Sequence, residues 1–359
     1  MNPYIIYHSL YLLLVTIFTL IVANNYSRFQ TWDDKIKGTG GVVLCLFLIW
    51  FIGTRPTNNF TDTANYALHY KMIRGKFFSF SLDAPNFIFD NLLEWFAANE
   101  ISFERFILIM SSIYFGAMLV AMKKVFPKTY YLAFLVYLGA FSTFSYSSNG
   151  FKAGAAASVF LLALAYRNNK IICVLLALVS LGIHHSMSMV IAALICSFLY
   201  KNTKNYFYIW AVCVVISALH IEFFQSLFAS FADESGASYL TAKKGDDYTH
   251  LTGFRLDFIL YSAAPVAVGY WLLFKRQVAN ADYEMWLRMY LLTNSVWMLC
   301  MYANYSNRIA YLSWFMYPVV LIYPFIGFYW SDKQNDYAKK TALYHLGFTL
   351  FMDIIYYGL

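Results

Sequence analysis

The chain has 359 residues, of which 60% are hydrophobic and 13% charged, with a formal net charge of +7. A soluble domain carries about 25% charged residues, so composition excludes an ordinary soluble enzyme and points to an all-α, polytopic integral membrane protein forming a single transmembrane domain over 1–359. The basic excess is not gathered into a Lys/Arg-rich run or polybasic tail, which argues against a nucleic-acid partner and assigns the charge to membrane topology and lipid contact.

Apolar segments of bilayer-crossing length, roughly 17 to 25 residues, recur from end to end. The first, Tyr4 to Ala23, lacks a basic leader and a small-residue cleavage site, so it is expected to be a retained helix. Spans are expected near 4–23, 40–54, 103–122, 130–147, 151–166, 171–183, 186–200, 206–228, 254–274, 283–302, 308–329 and 340–358, about 12 transmembrane or re-entrant helices. Alternate loops hold Arg28, Lys35 and Lys37; Lys123, Lys124 and Lys128; Arg167 and Lys170; Lys201 and Lys204; Lys275 and Arg276; and Lys333, Lys339 and Lys340. By the positive-inside rule these loops are cytoplasmic, which puts both termini on the outer side.

Two long loops then face outward. Residues 55–102 contain two amphipathic pieces, TDTANYALHYKMI and APNFIFDNLLEWFAA, and residues 229–253 are polar and glycine-containing. Loops of this length without a span commonly serve as lids or binding elements. Cys45, Cys173, Cys196, Cys213 and Cys300 all fall inside expected spans without a CxxC pair, and read as small buried hydrophobes. The 21% aromatic content suits interfacial belts and packing.

From Ile171 to Tyr200 the chain carries no Lys, Arg, Asp or Glu, yet His184 and His185 stand side by side in its middle. The flanking basic pairs are both cytoplasmic, so this run must go in and come back. Each arm of about 13 to 15 residues makes roughly 20 Å of helix, short of a ~30 Å hydrocarbon core. A short hairpin or re-entrant pair follows, with the histidines at its outer apex, where irregular backbone must line a protein cavity.

Four basic residues stand at outer helix ends against the charge trend: Arg55, Lys152, Arg255 and Arg308. A cation within a span costs on the order of 2.5–3.5 kcal/mol, less near the ends, where it can snorkel to headgroups. Four on one side, with two histidines, favour a shared anionic site. Lys152 and Arg308 also sit at expected helix N-termini, where free N–H groups attract anions. A pyrophosphate in a partly dry cleft suits such a cluster. A neutral imidazole beside it could act as general base or orient an acceptor hydroxyl. Spacing favours neither histidine, and no HxxxH, HExxH or Cys/His pattern suggests a metal. Of the acids, Asp62 follows Arg55 by seven residues, and Asp257 stands two from Arg255, where a simple ion pair would account for it. Glu222 and Asp353 fall near or within spans and stay open as structural or functional.

The stretches GTRPTNNFTDTANY (with Gly53, Arg55, Asp62, Thr63 and Tyr66), FKAGAAASVFLLAL (Lys152 onward), GIHHSMSMVI (His184, Ser186) and NRIAYLSWFMYP (Arg308) together resemble the EpsG-like branch of Wzy-type O-antigen and capsular polysaccharide polymerases. The family usually carries Arg at the Lys152 position, so an ammonium point charge here replaces a bidentate fork. The resemblance implies a cofactor-free, metal-independent glycosyltransferase of the bacterial inner membrane with its site facing the periplasm. It would transfer a growing glycan from undecaprenyl pyrophosphate to a sugar hydroxyl of the next lipid-linked repeat unit. Arg55, Lys152, Arg255, Arg308 and Tyr66 would bind pyrophosphate or glycan, and His184, His185 and Asp62 are the catalytic candidates. Lipid-linked oligosaccharides and membrane lipids are the partners expected, with a chain-length regulator and a flippase left open. Rival readings are an O-antigen ligase, a GT-C glycosyltransferase in which Asp62 would be the acid, a flippase and a membrane O-acyltransferase.

Overall fold

The computed structural model describes residues 2–27, 34–221, 223–228, 253–303 and 306–358. Glu222 and the outer loop expected at 229–253, apart from Gly253, lie outside the described residues. Every regular element among the described residues is helical. Among the described residues, four helical stretches are long and apolar enough to cross a membrane: Pro3–Asn24, Phe103–Val125, Leu256–Lys275 and Ser306–Ile326.

The described chain clusters into two compact units, one formed by Met1–His184 with Phe325–Leu359 and the other by His185–Pro324. The first unit opens with α1 (Pro3–Asn24), started by proline and capped by the Asn2 side chain, which accepts the Tyr4 N–H at 3.0 Å. α2 (Asp34–Gly53) follows. The two amphipathic pieces fold as α3 (Thr61–Ile73) and α4 (Phe87–Ala98). α5 (Phe103–Val125) is capped by Ser102 and carries Lys123 and Lys124 in its last turn, both suited to the helix dipole.

The segment expected to be one span over 130–147 is instead two helices, α6 (Tyr130–Leu138) and α7 (Thr143–Ser148). Hydropathy runs unbroken through the join, but Gly139 ends the first helix and the Thr143 hydroxyl donates to the Tyr137 carbonyl at 2.7 Å. That side chain supplies the partner that a break in buried backbone needs. α8 (Phe151–Ala165) and α9 (Lys170–Ile183) complete the run, and α17 (Gln334–Tyr357) returns to pack on α1 and α6.

α8 is the middle layer of this unit, packed between α5 and α9. Its FKAGAAAS start lets backbones approach closely, the usual device of helix pairs in lipid. The Ser180 hydroxyl on α9 donates to the Ala156 carbonyl on α8 at 2.7 Å. A Cβ at Gly154 would fall 2.0 Å from the Tyr146 carbonyl oxygen, so only glycine fits there.

The second unit contains α10 (Met187–Leu199), α11 (Thr203–Ala218), α12 (Phe223–Phe228), α13 (Leu256–Tyr270, continued by a π turn over Trp271–Lys275), α14 (Ala281–Leu299) and α15 (Ser306–Trp314). α16 (Tyr317–Ile326) ends it and leads back to the first. α14 is its axis, touching α10, α11, α12, α13 and α15. Buried Asn294 on α14 accepts the Trp210 indole N–H at 2.7 Å and donates to the Ser313 hydroxyl at 3.0 Å, joining three helices. Of the five cysteines, Cys45, Cys173, Cys213 and Cys300 are buried as expected, while Cys196 is exposed on the outward face of α10. Membership of an apolar helix does not say which face a residue takes.

Candidate functional site

Arg55 lies just beyond α2 and is 2% exposed. Its Nη1 donates to the Ile52 carbonyl at 2.8 Å, and its Nη2 donates to the Thr63 hydroxyl at 2.9 Å and the Ser148 carbonyl at 2.6 Å. The Thr63 hydroxyl donates to the same Ser148 carbonyl at 2.9 Å. One guanidinium therefore ties the end of α2 to the first turn of α3 and the last residue of α7, whose carbonyl is one that a helix end leaves unsatisfied. The cation also lies 5.4 Å from the Phe60 ring centre and 5.9 Å from that of Phe151. Burial pulls the guanidinium pKa down to about 9, against an opposing pull from Tyr7. It remains cationic at neutral pH.

Phe151 joins this clamp to a second cation. Its ring packs at 5.2 Å against Tyr66 of α3 and at 5.9 Å against Phe89 of α4. Lys152, 8% exposed in the first turn of α8, places Nζ 5.8 Å from the Tyr66 ring centre and 5.4 Å from that of Phe89. The structure thus brings Arg55, Tyr66 and Lys152 into one aromatic-lined cluster, with Asp62 half-buried beside Thr63 in the first turn of α3. Arg55 is held inside protein, whereas Lys152 sits at a helix N-terminus, where charge and free N–H groups together favour an anion.

The histidine pair occupies a break in the chain. α9 ends at Ile183, α10 starts at Met187, and the arms have 14 and 13 residues. His184 is the extended C-cap of α9, its N–H donating to the Ser180 carbonyl at 3.0 Å. The His185 carbonyl accepts the Ser188 N–H at 3.0 Å. Both side chains are half-buried. Close packing sets the His184 end of α9 against α4, since a Cβ at Gly182 would meet Ile88 at 2.7 Å and Phe87 at 2.9 Å. The same turn of α4 presents Phe89 to Lys152. His184 and the Lys152 cluster therefore share α4 as a common wall.

The other expected residues belong to the second unit. Arg255, the N-cap of α13, forms a two-pronged pair with Asp257, Nε to Oδ1 at 3.0 Å and Nη2 to Oδ2 at 2.8 Å. It lies 3.9 Å from the Phe258 ring centre. Its charge is largely answered by that carboxylate. Arg308 is exposed in the first turn of α15. His185 is the first residue of this unit.

Sequence reasoning passed over Arg288 and His8, and left Asp353 without a partner to explain it. Arg288, buried on α14, donates from Nη1 to the Thr203 hydroxyl at 3.0 Å and from Nε to the Ser197 carbonyl at 3.3 Å, with Glu284 at 3.8 Å. Its signal was a lone Arg one turn after a Glu inside an expected span. In the first unit, His8 of α1 faces Asp353 of α17 at 3.6 Å. No spacing rule links residues so far apart in the chain. Among the described residues no three His, Cys, Asp or Glu side chains gather as a metal-ligand set.

A model of the EpsG family matches residues 41–358. The chain belongs to the EpsG family. The match includes every candidate residue named from sequence, as well as α2 to α17 almost entirely. The family ties this chain to polysaccharide synthesis, and its apolar helices fit a multi-pass membrane protein. No curated protein and no solved structure matches it.

Proposed function

We propose that this EpsG-family chain is a polymerase of lipid-linked oligosaccharide repeat units in O-antigen, capsule or exopolysaccharide synthesis. It lies in the bacterial inner membrane with about 12 crossing or re-entrant helices and both termini outside. The observation that carries the reading is the Arg55–Phe151–Lys152 cluster, two buried cations and a tyrosine at one set of helix ends.

In the reaction, the bond between the anomeric carbon of the donor glycan and the undecaprenyl pyrophosphate oxygen breaks. Its electron pair leaves with the pyrophosphate, whose growing charge Lys152 and the N-terminus of α8 stabilise. A hydroxyl of the acceptor repeat unit bonds to that carbon, and its proton passes to His184 as general base. Arg55 acts by fixing α3 and α7 around Lys152, and Tyr66 stacks against the glycan. The reaction needs no nucleotide and no metal, because the donor carries its energy in the lipid pyrophosphate. Asp62, His185, Arg255 and Arg308 are further candidates, each to be judged by its own variant. A flippase would supply the substrate, and a chain-length regulator would act on the product.

The test is rescue of a deletion strain, read as surface glycan on a gel with membrane levels matched. Deletion should collapse the polymer to a single capped repeat unit. Wild type should restore it, Lys152→Met and His184→Ala should fail to, and Arg308→Ala decides whether that cation is needed as well. Loss of even the single capped unit on deletion would reject polymerisation in favour of ligation or transport.

A further inference from the structure

His8 and Asp353 are 2% and 1% exposed, and no role has been given to either. They meet across the packed seam of α1 and α17, with Nε2 to Oδ1 at 3.6 Å. Among the described residues, His8 Nδ1, both Asp353 carboxyl oxygens and the Thr349 hydroxyl lack a hydrogen-bond partner. Thr349 lies four residues before Asp353, on the same helix face. A separated, uncompensated charge at such a place would cost several kcal/mol. A single proton held between imidazole and carboxyl leaves the pair neutral overall in either arrangement.

The pair is also coupled to the Arg55 clamp by two routes. The His8 ring stacks on Phe144 of α7 at 4.3 Å with planes 4° apart, and Ser148, one turn later, gives its carbonyl to Arg55. Tyr4, one turn before His8, packs on Phe144 at 5.4 Å and on Phe60 at 5.3 Å, and Phe60 faces Arg55. The titratable groups around the pair are Tyr4, Tyr11 and Tyr357, and beyond them Tyr114, Tyr137 and His345.

We propose that His8 and Asp353 share one proton and form a neutral positioning pair that holds α7 in register for the Arg55 clamp. The coupling to transfer rests on the polymerase reading, whereas proton sharing does not. The variant that separates them is His8→Gln, which leaves a lone buried carboxyl. Raising the pH then ionises Asp353 with no partner and should loosen the seam.

The experiment measures polymer formation from lipid-linked repeat units and the unfolding temperature, both on the full chain in lipid nanodiscs, from about pH 6 to about pH 9. Wild type and Asp353→Asn should give flat profiles. His8→Gln should lose about tenfold in rate, and unfold at lower temperature, toward the alkaline end. His8→Gln with Asp353→Asn should be flat again. A flat His8→Gln profile overturns the proposal, and so does an alkaline fall that survives in the double variant. If Asp353→Asn abolishes transfer without moving the unfolding temperature, the carboxyl works on substrate and the positioning role fails. If His8→Gln does not accumulate, restoration by Asp353→Asn supports the proposal and continued absence overturns it. Failure of wild type itself to make polymer rejects the polymerase reading, while the unfolding profiles still decide the pair.

Discussion

Arg55 commits its terminal donors to Ile52, Thr63 and Ser148. Removing it takes three charge-assisted hydrogen bonds from Ile52, Thr63 and Ser148, each worth about 1.5–3 kcal/mol, and leaves the Thr63 hydroxyl on the Ser148 carbonyl as the remaining tie. Arg55→Ala should therefore destabilise the purified protein by roughly 3 kcal/mol, read as its unfolding temperature. Arg55→Lys should recover little, because an ammonium lacks the planar fork that reaches three acceptors. Lys152 should behave in the opposite way. Lys152→Met should leave unfolding nearly unchanged and lower the maximal transfer rate by about a hundredfold, whereas Lys152→Arg keeps the charge and should stay near wild type. The sequence marked both cations as out of place for their side of the membrane. Which of them is enclosed by protein acceptors was not legible, because Ser148 lies 93 residues from Arg55 in the chain.

Among the elements, α8 depends on the absence of side chains. Gly154→Ala would drive a Cβ to within 2.0 Å of the Tyr146 backbone oxygen, which cannot swing aside. We expect a loss of about 1–3 kcal/mol as α8 shifts between α5 and α9. Gly116→Ala is the matched control, since a Cβ at that position of α5 meets nothing within 4 Å. It should be neutral or stabilise by up to roughly 1 kcal/mol through helix propensity. Comparing the two unfolding temperatures separates close packing from propensity. Elements were the most legible level of the sequence. The amphipathic pieces in the first long loop fold as α3 and α4, and the uncharged run breaks beside its histidines into two short arms. The breaks inside 130–147 and 308–329 were not legible, because apolar residues continue through them and the opened backbone is answered by short local bonds that hydropathy does not register, the Thr143 hydroxyl to the Tyr137 carbonyl in the first and the Met316 N–H to the Ser313 carbonyl in the second.

For the whole molecule, burial differs sharply between spans. The Ser306–Ile326 window is fully enclosed by the chain, while a third of the Pro3–Asn24 window is. Leu10, Leu13, Ile17 and Leu20 line an exposed face of α1, as expected of a helix against lipid. The proposed topology puts the C-terminus outside and the turn after Lys123 and Lys124 inside. A phosphatase active only outside the cytoplasm should work when fused after Leu359 and fail when inserted between Phe126 and Thr129. The reverse pattern would invert the assignment of the candidate site to the periplasm.

The sequence by itself determined the class of molecule, the elements that carry the candidate residues and the family resemblance, because these depend on local composition, period and short motifs. Hydropathy marked the helices, and displaced charge marked Arg55, Lys152, Arg255 and Arg308. Tertiary structure decided which charges are already answered. The ends of three helices enclose Arg55 and Lys152 joins Tyr66 through an aromatic wall, whereas Asp257 takes Arg255 locally, as their spacing of two already suggested. It also joined His8 to Asp353, from opposite ends of the chain. The physical reason is that a buried charge is tolerable only where its partners converge, and in a helical bundle those partners come from helices that are neighbours in space and strangers in sequence.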